Sequence, residues 1–434
     1  MHRICVIGGG HVGLVAAACF AQMGHSVICV DNDSAKIALL KKGKMPFYEP
    51  KLATLVKKTA NSKRLVFSDS LDNSIKKSKV IFIAVGTPPK SDGSADLSAI
   101  EDVARVIAKN LNSYKLIVEK STVPVQTGKK IKETIARYKK GDATYDVASN
   151  PEFLREGKAV HDSFYPDRIV LGVDSKQAET ILRQIYSKLK TKIIVTDVNT
   201  AEIIKHASNS FLASKISFIN AVSRVCDKAG ADVEKVSQAM GLDKRIGGDF
   251  LSAGIGWGGF CFPKDVEAFA YISKKLGYDF SFLKEVTKIN HEQQLYFTEK
   301  IRERLWVIRG KKIAILGLSF KPNTDDMRFA PSINIVKTLE KEGAELTLYD
   351  PKAMNEAKNI FKSKKIMFAK DAYAAVKGCD CVCFLTEWKQ FLALDFKKIK
   401  KTMNNALIAD GRNMLDPVKL IAAGFEYIGL GRGK

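Results

Sequence analysis

Short apolar runs separated by mixed segments dominate the start of the chain. Residues 3–7, 26–30, 80–85 and 116–118 are such runs, residues 14–21 form an alanine-rich apolar stretch of helical length, and Asp146-Val147-Ala148-Ser149 leads into Asn150-Pro151. Continuous apolar runs of strand length mark strands buried on both faces, as in a parallel sheet covered by helices. From Asn199-Thr200 the period becomes helical. Residues 200–229 read as one long helix, with Thr200 as N-cap and Gly230 just past the end. Lys205 and Asn209, four apart, share a face of it that continues through Leu212, Ile216 and Ile219. Either Lys205 snorkels outward or two polar groups are buried in line with an apolar stripe. Helix continues to about residue 300. The strand–helix rhythm then returns with apolar runs at 311–318, 345–349, 379–385 and 407–410.

Length and composition narrow the class. A chain of 434 residues, 46% hydrophobic and 27% charged, fits a globular protein of two or three domains. The net charge of +23 raises nucleic acid as a partner. The lysines, however, are scattered in pairs such as Lys41-Lys42, Lys129-Lys130, Lys311-Lys312 and Lys397-Lys398, with no basic tail or aromatic-interleaved stripe. We read solvated helix faces, with no nucleic-acid partner, and a field that attracts polyanionic small substrates. No stretch of about 18 apolar residues occurs, and Met1-His2-Arg3 leads straight into a strand, so no membrane association and a cytoplasmic location are expected. The eight cysteines sit mostly in apolar runs, as reduced buried thiols do.

Gly8-Gly9-Gly10-His11-Val12-Gly13 lies between the first strand and the alanine-rich helix, and Asp31 ends the next strand 18 residues past the last glycine. In that context Gly8, Gly10 and Gly13 point to a dinucleotide pyrophosphate at a helix N-terminus, with Asp31 on a ribose diol. Asn32, not an arginine, follows Asp31, which favours NAD over NADP. Two Rossmann-like doubly wound α/β domains, joined by a helical central domain with one long helix, are therefore expected. Their ranges are 1–200 for cofactor binding, 201–300 for the helical part and 301–434 for the second Rossmann-like part. Thr87 and Thr122 follow strand ends, where ligands of such sheets lie. Glu152 and Glu156, four apart after Asn150-Pro151, suit a site or an ordinary helix surface. The loop after the 311–318 run lacks glycine spacing but carries Lys321 and Arg328, suited to phosphate or carboxylate. Cys379, Cys381 and Cys383 alternate, so all three are expected on one strand face. No histidine or further cysteine pair joins them, so a buried strand is expected and no metal site.

The stretch 254–265, Gly-Ile-Gly-Trp-Gly-Gly-Phe-Cys-Phe-Pro-Lys-Asp, combines many glycines with Cys261, Lys264 and Asp265. Such glycines suggest a backbone passing close to something. The thiol, ammonium and carboxylate suit covalent chemistry, against a simple turn before a helix with a buried cysteine.

In order, G-x-G-x-V-G-L, V-G-T-P, E-K-S-T-V-P, N-P-E-F-L-R-E-G, K-x-x-x-N, G-x-G-x-G-G-x-C-F-P-K-D and F-K-x-x-T-D-D-x-R span the chain. Together they resemble the UDP-glucose 6-dehydrogenases of the UDP-glucose/GDP-mannose dehydrogenase family. The resemblance implies four-electron oxidation of UDP-glucose to UDP-glucuronate with NAD, in a homodimer or higher homo-oligomer. A sister enzyme acting on GDP-mannose or a UDP-N-acetylhexosamine is the alternative. By resemblance Val12, Asp31, Lys36, Thr87, Thr122, Glu156, Lys264 and Arg328 contact NAD. Glu152, Phe153, Leu154, Arg155 and Glu156, Phe250, Leu251, Ser252, Ala253 and Gly254, with Lys205, Asn209, Gly258 and Lys321, hold the UDP-sugar. Arg245 matches an arginine lent to the neighbouring subunit. Cys261 is the implied nucleophile, with Lys205, Asp265, Glu152, Thr122 and Asn209 in the proton and water steps. The resemblance also implies that the glycines ahead of Cys261 let the sugar reach it. The residue before the cysteine, often serine in this family, is Phe260 here.

Overall fold

The computed structural model describes residues 1–433; Lys434, the last residue of the expected third domain, lies outside them. Two compact units are formed. Met1–Ser208 with Glu267–Tyr278 make the first, and Asn209–Val266 with the chain from Asp279 onward make the second.

The first unit carries β1 (Arg3–Ile7), α1 (His11–Gln22), β2 (Ser26–Val30), α2 (Ser34–Lys41), α3 (Leu52–Asn61), β3 (Leu65–Ser68), α4 (Leu71–Lys77), β4 (Val80–Ile83), α5 (Ser98–Lys109), β5 (Lys115–Glu119), α6 (Thr127–Tyr138), β6 (Tyr145–Ser149), α7 (Ala159–Phe164), β7 (Arg168–Gly172), α8 (Lys176–Ile185) and β8 (Lys192–Thr196). Its sheet order is β3-β2-β1-β4-β5-β6-β7-β8. All neighbours are parallel except β6 and β7, which meet antiparallel at Ser149 and Gly172. The order reverses between β1 and β4, so the carboxyl ends of these strands open onto the crevice where such sheets bind ligands. Both faces are covered: Ile4 and Val6 of β1 enter one apolar cluster, and Cys5 and Ile7 enter another. That is why the strands read as unbroken apolar runs.

Then follow α9 (Val198–Ala229), α10 (Val233–Leu242), α11 (Cys261–Lys275) and α12 (Ser281–Leu305). The long helix starts earlier than expected, and Thr200 is not its cap. Asp197 accepts from Thr200 N at 2.8 Å and from Thr200 Oγ1 at 2.6 Å. A carboxylate is at least as good an acceptor for these N-terminal N–H groups as a hydroxyl. Gly230 lies just past the end with φ of +70°, as a terminating glycine does.

The second unit continues with β9 (Lys312–Leu316), α13 (Pro331–Lys341), β10 (Glu345–Tyr349), α14 (Met354–Ile360), β11 (Ile366–Phe368), α15 (Ala372–Val376), β12 (Cys381–Phe384), α16 (Lys389–Leu392), α17 (Phe396–Thr402), β13 (Leu407–Asp410), α18 (Pro417–Ala422) and β14 (Glu426–Ile428). Its six-stranded sheet runs β11-β10-β9-β12-β13-β14, all parallel, repeating the order of the first six strands of the first sheet. The expected face shared by three cysteines is corrected. Cys381 and Cys383 lie on one face with sulfurs 3.9 Å apart. Cys379 precedes the strand and packs into the cluster on the other face, with Val382 and Phe384. Strict alternation of side chains holds only while the backbone stays extended.

Within the second unit, α9 buries polar residues and exposes apolar ones. The expected stripe through Leu212, Ile216 and Ile219 is buried only at Ile219. The buried face instead continues through Ala213, Ser217 and Asn220. Ser217 donates to Val286 O at 2.8 Å, and Asn220 Oδ1 accepts from Gly254 N at 2.9 Å. Partnered in this way, the Ser217 hydroxyl and the Asn220 carbonyl oxygen lose little on burial.

Candidate active site

The glycine loop after β1 is built for different reasons at each glycine. A Cβ on Gly8, whose φ is +108°, would overlap the Ala84 carbonyl at the end of β4, and one on Gly13 would overlap the Gly8 carbonyl. Gly10 meets no protein atom within 4 Å. It is the N-cap of α1 and makes no side-chain cap bond. The amide end of α1 thus faces open space at the switch point, a cradle that a Cβ would fill and that suits a pyrophosphate. Val12, on the first turn of α1, is half-buried and packs against the adjoining apolar cluster.

Asp31 closes this loop from below. Its Oδ2 accepts from Gly9 N at 2.7 Å and from Lys36 Nζ at 2.9 Å, and its Oδ1 accepts from Asp33 N at 2.9 Å. Burial opposes its charge, but these donors outweigh burial and hold its carboxyl below the usual carboxylate range. Thr87, buried past the end of β4, donates to Thr122 O at 2.9 Å, which ties together the two loops expected at the cofactor.

Residues 150–157 follow β6 without forming a helix, so the surface-helix reading of Glu152 and Glu156 is excluded. Glu152 Oε2 accepts from Leu154 N at 2.6 Å, and Oε1 lies 2.9 Å from Lys205 Nζ. Both side chains are at most 5% exposed, so Lys205 does not snorkel. The Phe153 ring lies 5.5 Å from Lys205 Nζ and 3.7 Å from the Arg168 guanidinium. Arg155 forks onto Asp162, at 2.9 and 2.7 Å. Lys120 Nζ donates to Asn150 Oδ1 at 3.1 Å. Burial lowers its ammonium to about 8; Glu152 opposes the shift and Lys205 adds to it. Two cations and one carboxylate thus share a dry pocket of the first unit.

In the second unit, residues 250–260 lie flat against their own scaffold. Phe250 has φ of +65°. Leu251 and Ala253 are buried in an apolar cluster, and Ser252 is exposed. Trp257 N donates to Asn290 Oδ1 at 2.8 Å, and Asn290 Nδ2 donates back to Trp257 O at 3.0 Å. Arg412 donates to Gly256 O at 2.9 Å, Phe320 O at 3.1 Å and Leu385 O at 2.9 Å. A Cβ on Gly254 would lie 2.9 Å from Gly411 O, one on Gly256 would overlap Asn290, and one on Gly258 would overlap Phe329 O. On Gly259 it would lie 2.7 Å from the Phe320 ring. The expectation that these glycines clear a path for a ligand is corrected: they let the loop lie against the unit's own backbone and rings.

The loop ends at Cys261, the half-buried first residue of α11. A helix N-terminus favours a thiolate. Pro263 in the first turn costs no intrahelical bond. One turn on, Lys264 Nζ lies 2.6 Å from Asp265 Oδ1, and Asn209 Nδ2 donates to Asp265 Oδ2 at 2.6 Å. All three are buried. Phe260 lies under two cations, with the Arg328 guanidinium 4.3 Å and Lys264 Nζ 5.7 Å from its ring centre. Arg328 also forks onto Asp326, and Lys321 Nζ lies 5.2 Å from the Phe320 ring. Arg245 stands apart, its side chain 89% exposed and paired with Asp243.

Residues 2–190 match the NAD binding domain, 199–292 the central domain and 314–417 the UDP binding domain of the UDP-glucose/GDP-mannose dehydrogenase family. The chain belongs to this family. It is similar to the UDP-glucose 6-dehydrogenase YwqF of Bacillus subtilis, 45% identical with 99% of this chain and 98% of that one covered. It is also similar to the UDP-glucose 6-dehydrogenase of Rhizobium meliloti, 44% identical with 99% of both covered. A solved UDP-glucose dehydrogenase of Pyrobaculum islandicum superposes with TM-score 0.93 at 36% identity, covering 99% of this chain and 98% of that one.

As a member of the UDP-glucose/GDP-mannose dehydrogenase family the chain is an NAD-dependent dehydrogenase with α/β domains at both ends, and the UDP binding domain supports a UDP-sugar substrate. The loop of Gly8, Gly10 and Gly13 with Asp31 fits the cofactor. Among the described residues no helix is long and apolar enough to cross a membrane. The second sheet has an acid, Asp350, at the position of Asp31, after its second strand. Its Oδ2 accepts from Leu318 N at 2.7 Å and Ser319 N at 3.1 Å, and its Oδ1 accepts from Lys352 N and Ala353 N, both at 2.8 Å. There the acid organises its own loops.

Several supporting residues carry no signal in the sequence. Glu49 accepts from Gly157 N at 2.7 Å and Ala159 N at 2.9 Å, anchoring the end of the Glu152 segment from 108 positions away. Asn220, Asn290 and Arg412 do the same for the glycine loop. Only their partners, distant in sequence, make them informative.

Proposed function

We propose that the chain oxidises UDP-glucose to UDP-glucuronate in two successive two-electron steps at one cysteine. The observation that carries this is Cys261 at the start of α11, one turn before the buried Lys264–Asp265–Asn209 group. The names of the full-length relatives support UDP-glucose as the sugar.

NAD, when bound, accepts one hydride, and with it both electrons, in each oxidation, so each turnover consumes two. The chain's residues handle the protons and the carbon. The C6 hydroxyl gives its proton to a base as the aldehyde forms, and Asp265 or Lys205, acting through water, is the proposed base. The Cys261 thiolate adds to the aldehyde carbon, giving a thiohemiacetal and keeping the aldehyde from escaping. Loss of hydride from that carbon and of the proton from its hydroxyl leaves a thioester. Water attacks the thioester with Glu152 or Asp265 as base and Thr122 helping to place it; the C–S bond breaks, and the carboxylate and the free thiol are restored. Lys205 and Asn209 stabilise the oxyanions on the way.

In this reading Gly8, Gly10, Val12, Gly13, Asp31, Lys36, Thr87, Thr122, Glu156, Lys264 and Arg328 hold NAD. The sugar nucleotide is held by 152–156, 250–254, Gly258 and Lys321, with Lys205 and Asn209. Phe211, Phe218 and Val225, seven apart on α9, are all more than half exposed, which supports a homodimer built on this stripe. Arg245, projecting from the chain after α10, then serves the partner's substrate.

The deciding experiment follows NADH with UDP-glucose, GDP-mannose and UDP-N-acetylhexosamines in turn. Two NADH per UDP-glucose is expected. Turnover only with another nucleotide sugar would replace the substrate.

A further inference from the structure

The β5–α6 loop, Ser121-Thr122-Val123-Pro124-Val125-Gln126, is held chiefly from outside itself. Pro124 has no N–H to give. Gln126 has φ of +73°, and α6 starts with no side-chain cap of its own. The cap comes instead from α9. Glu202 Oε2 accepts from Gln126 N at 2.6 Å, and Oε1 accepts from Gly128 N at 2.8 Å. A Cβ on Gly128 would lie 2.5 Å from Val198 Cγ1 and 3.4 Å from Glu202 Oε1, so the close approach depends on that glycine. One turn further along α9, His206 Nε2 lies 2.7 Å from Val123 O. A carbonyl only accepts, so Nε2 carries the proton and the tautomer is fixed at that nitrogen. The His206 ring is itself stacked on Phe269, 5.8 Å between centres.

These bonds bracket Thr122. Its own carbonyl accepts from Thr87 Oγ1 at 2.9 Å, and Ser121 N donates to Glu119 Oε1 at 2.6 Å. The next carbonyl is the one His206 holds. Glu202, Lys205 and His206 are all at most 3% exposed, at positions i, i+3 and i+4 of one helix face. The face that carries Lys205 therefore also sets the loop that carries Thr122.

We propose that His206, with Glu202, is a positioning residue that fixes the backbone of Thr122 for thioester hydrolysis. This rests on the reading of Cys261 and Thr122 given above. A shift of about 1 Å in a placed group costs ~10²-fold in rate. With NAD in excess, so that any weaker hold of Thr122 on the cofactor is masked, the step that needs the water slows far more than the two hydride transfers.

The test is rapid-mixing kinetics on the full-length enzyme with UDP-glucose and excess NAD. His206→Leu is expected to form two NADH per site in a burst, then turn over roughly 10- to 100-fold more slowly than wild type. Intact-protein mass spectrometry of the quenched reaction then finds a sugar-nucleotide adduct on Cys261. His206→Gln, which keeps a donor for Val123 O, is expected to recover to within about threefold of wild type. Glu202→Gln, left with one acceptor oxygen for two N–H groups, gives the same burst with a smaller slowdown. Equal slowing of burst and steady state in His206→Leu would overturn the assignment, as would adduct-free slow turnover. Should His206→Leu fail to fold, wild-type kinetics in Glu202→Gln overturn it as well. Normal acid formation by Cys261→Ala sinks the covalent reading instead; an inert Cys261→Ala beside an adduct-free His206→Leu sinks only this inference.

Discussion

Lys205 Nζ and Glu152 Oε1 lie 2.9 Å apart, with both side chains almost wholly removed from water. Removing one partner from such a pair leaves a buried uncompensated charge, at about 3–5 kcal/mol, whereas replacing both by apolar groups is often neutral. Lys205→Met and Glu152→Gln are each expected to destabilise the fold by about that amount, and the double variant by clearly less than their sum. Urea unfolding of the four proteins measures it; strict additivity would mean that the pair is not coupled. Each single variant also loses turnover by ~10²-fold or more. A loss under about tenfold in Lys205→Met rules out its role in the chemical steps.

Gly10 and Gly13 separate cofactor binding from folding. Gly10 has φ of −83° and no protein neighbour at its Cβ position. Gly10→Val should keep the melting temperature within what about 1 kcal/mol allows while weakening NAD binding by roughly tenfold or more. Gly13→Val should fail to fold, because its side chain would overlap the Gly8 carbonyl. Calorimetric NAD titration checks the first; unchanged affinity there would move the pyrophosphate elsewhere.

Cys261→Ala is expected to bind NAD and UDP-glucose but form no UDP-glucuronate. Product analysis by chromatography decides it, and normal acid yield removes the thioester.

Lys120 makes stability depend on pH. Burial holds its ammonium at about 8 in the folded chain against 10.5 unfolded. Between those values the unfolded chain binds more protons, so the contribution to stability rises with pH from about 8 to about 10.5, by roughly 3 kcal/mol. Below pH 8 both states are charged and the penalty is constant. Across pH 7.5 to 10 the wild-type denaturant midpoint should rise relative to that of Lys120→Met. Parallel curves would contradict it.

Phe218→Glu places a charge in the exposed apolar stripe of α9 and is expected to yield monomers by sedimentation. If Arg245 serves the partner subunit, Arg245→Ala raises the KM for the nucleotide sugar in the dimer. An unchanged KM counts against that role.

Much of the chain was legible before any coordinates. The strands β1, β4, β5, β9, β12 and β13, buried at nearly every position, announce themselves because both faces are covered and most of their residues are apolar. The short outer strands do not. β3, β8, β11 and β14 lie at or next to sheet edges, mix polar with apolar positions, and take their state from a neighbour. β7, though apolar, was also missed, because a lone short run does not distinguish strand from helix. The start of α9 shifted because Asp197, not Thr200, supplies the stronger acceptor.

The glycine loop around Cys261 shows the division most clearly. Sequence alone determined the parts list: a thiol ahead of a lysine and an acid, a nucleotide-binding glycine loop with its acid, and a lysine and asparagine one turn apart. Those are local patterns, fixed by backbone geometry and spacing. Only tertiary structure decided what each part touches. The glycines at 254–259 answer to Gly411, Asn290, Phe329 and Phe320, and Lys205 found its counter-ion 53 positions away. His206 looks like any helix residue until Val123 O lies against it. Burial and hydrogen-bond partners are properties of packing between distant segments, which no local spacing encodes.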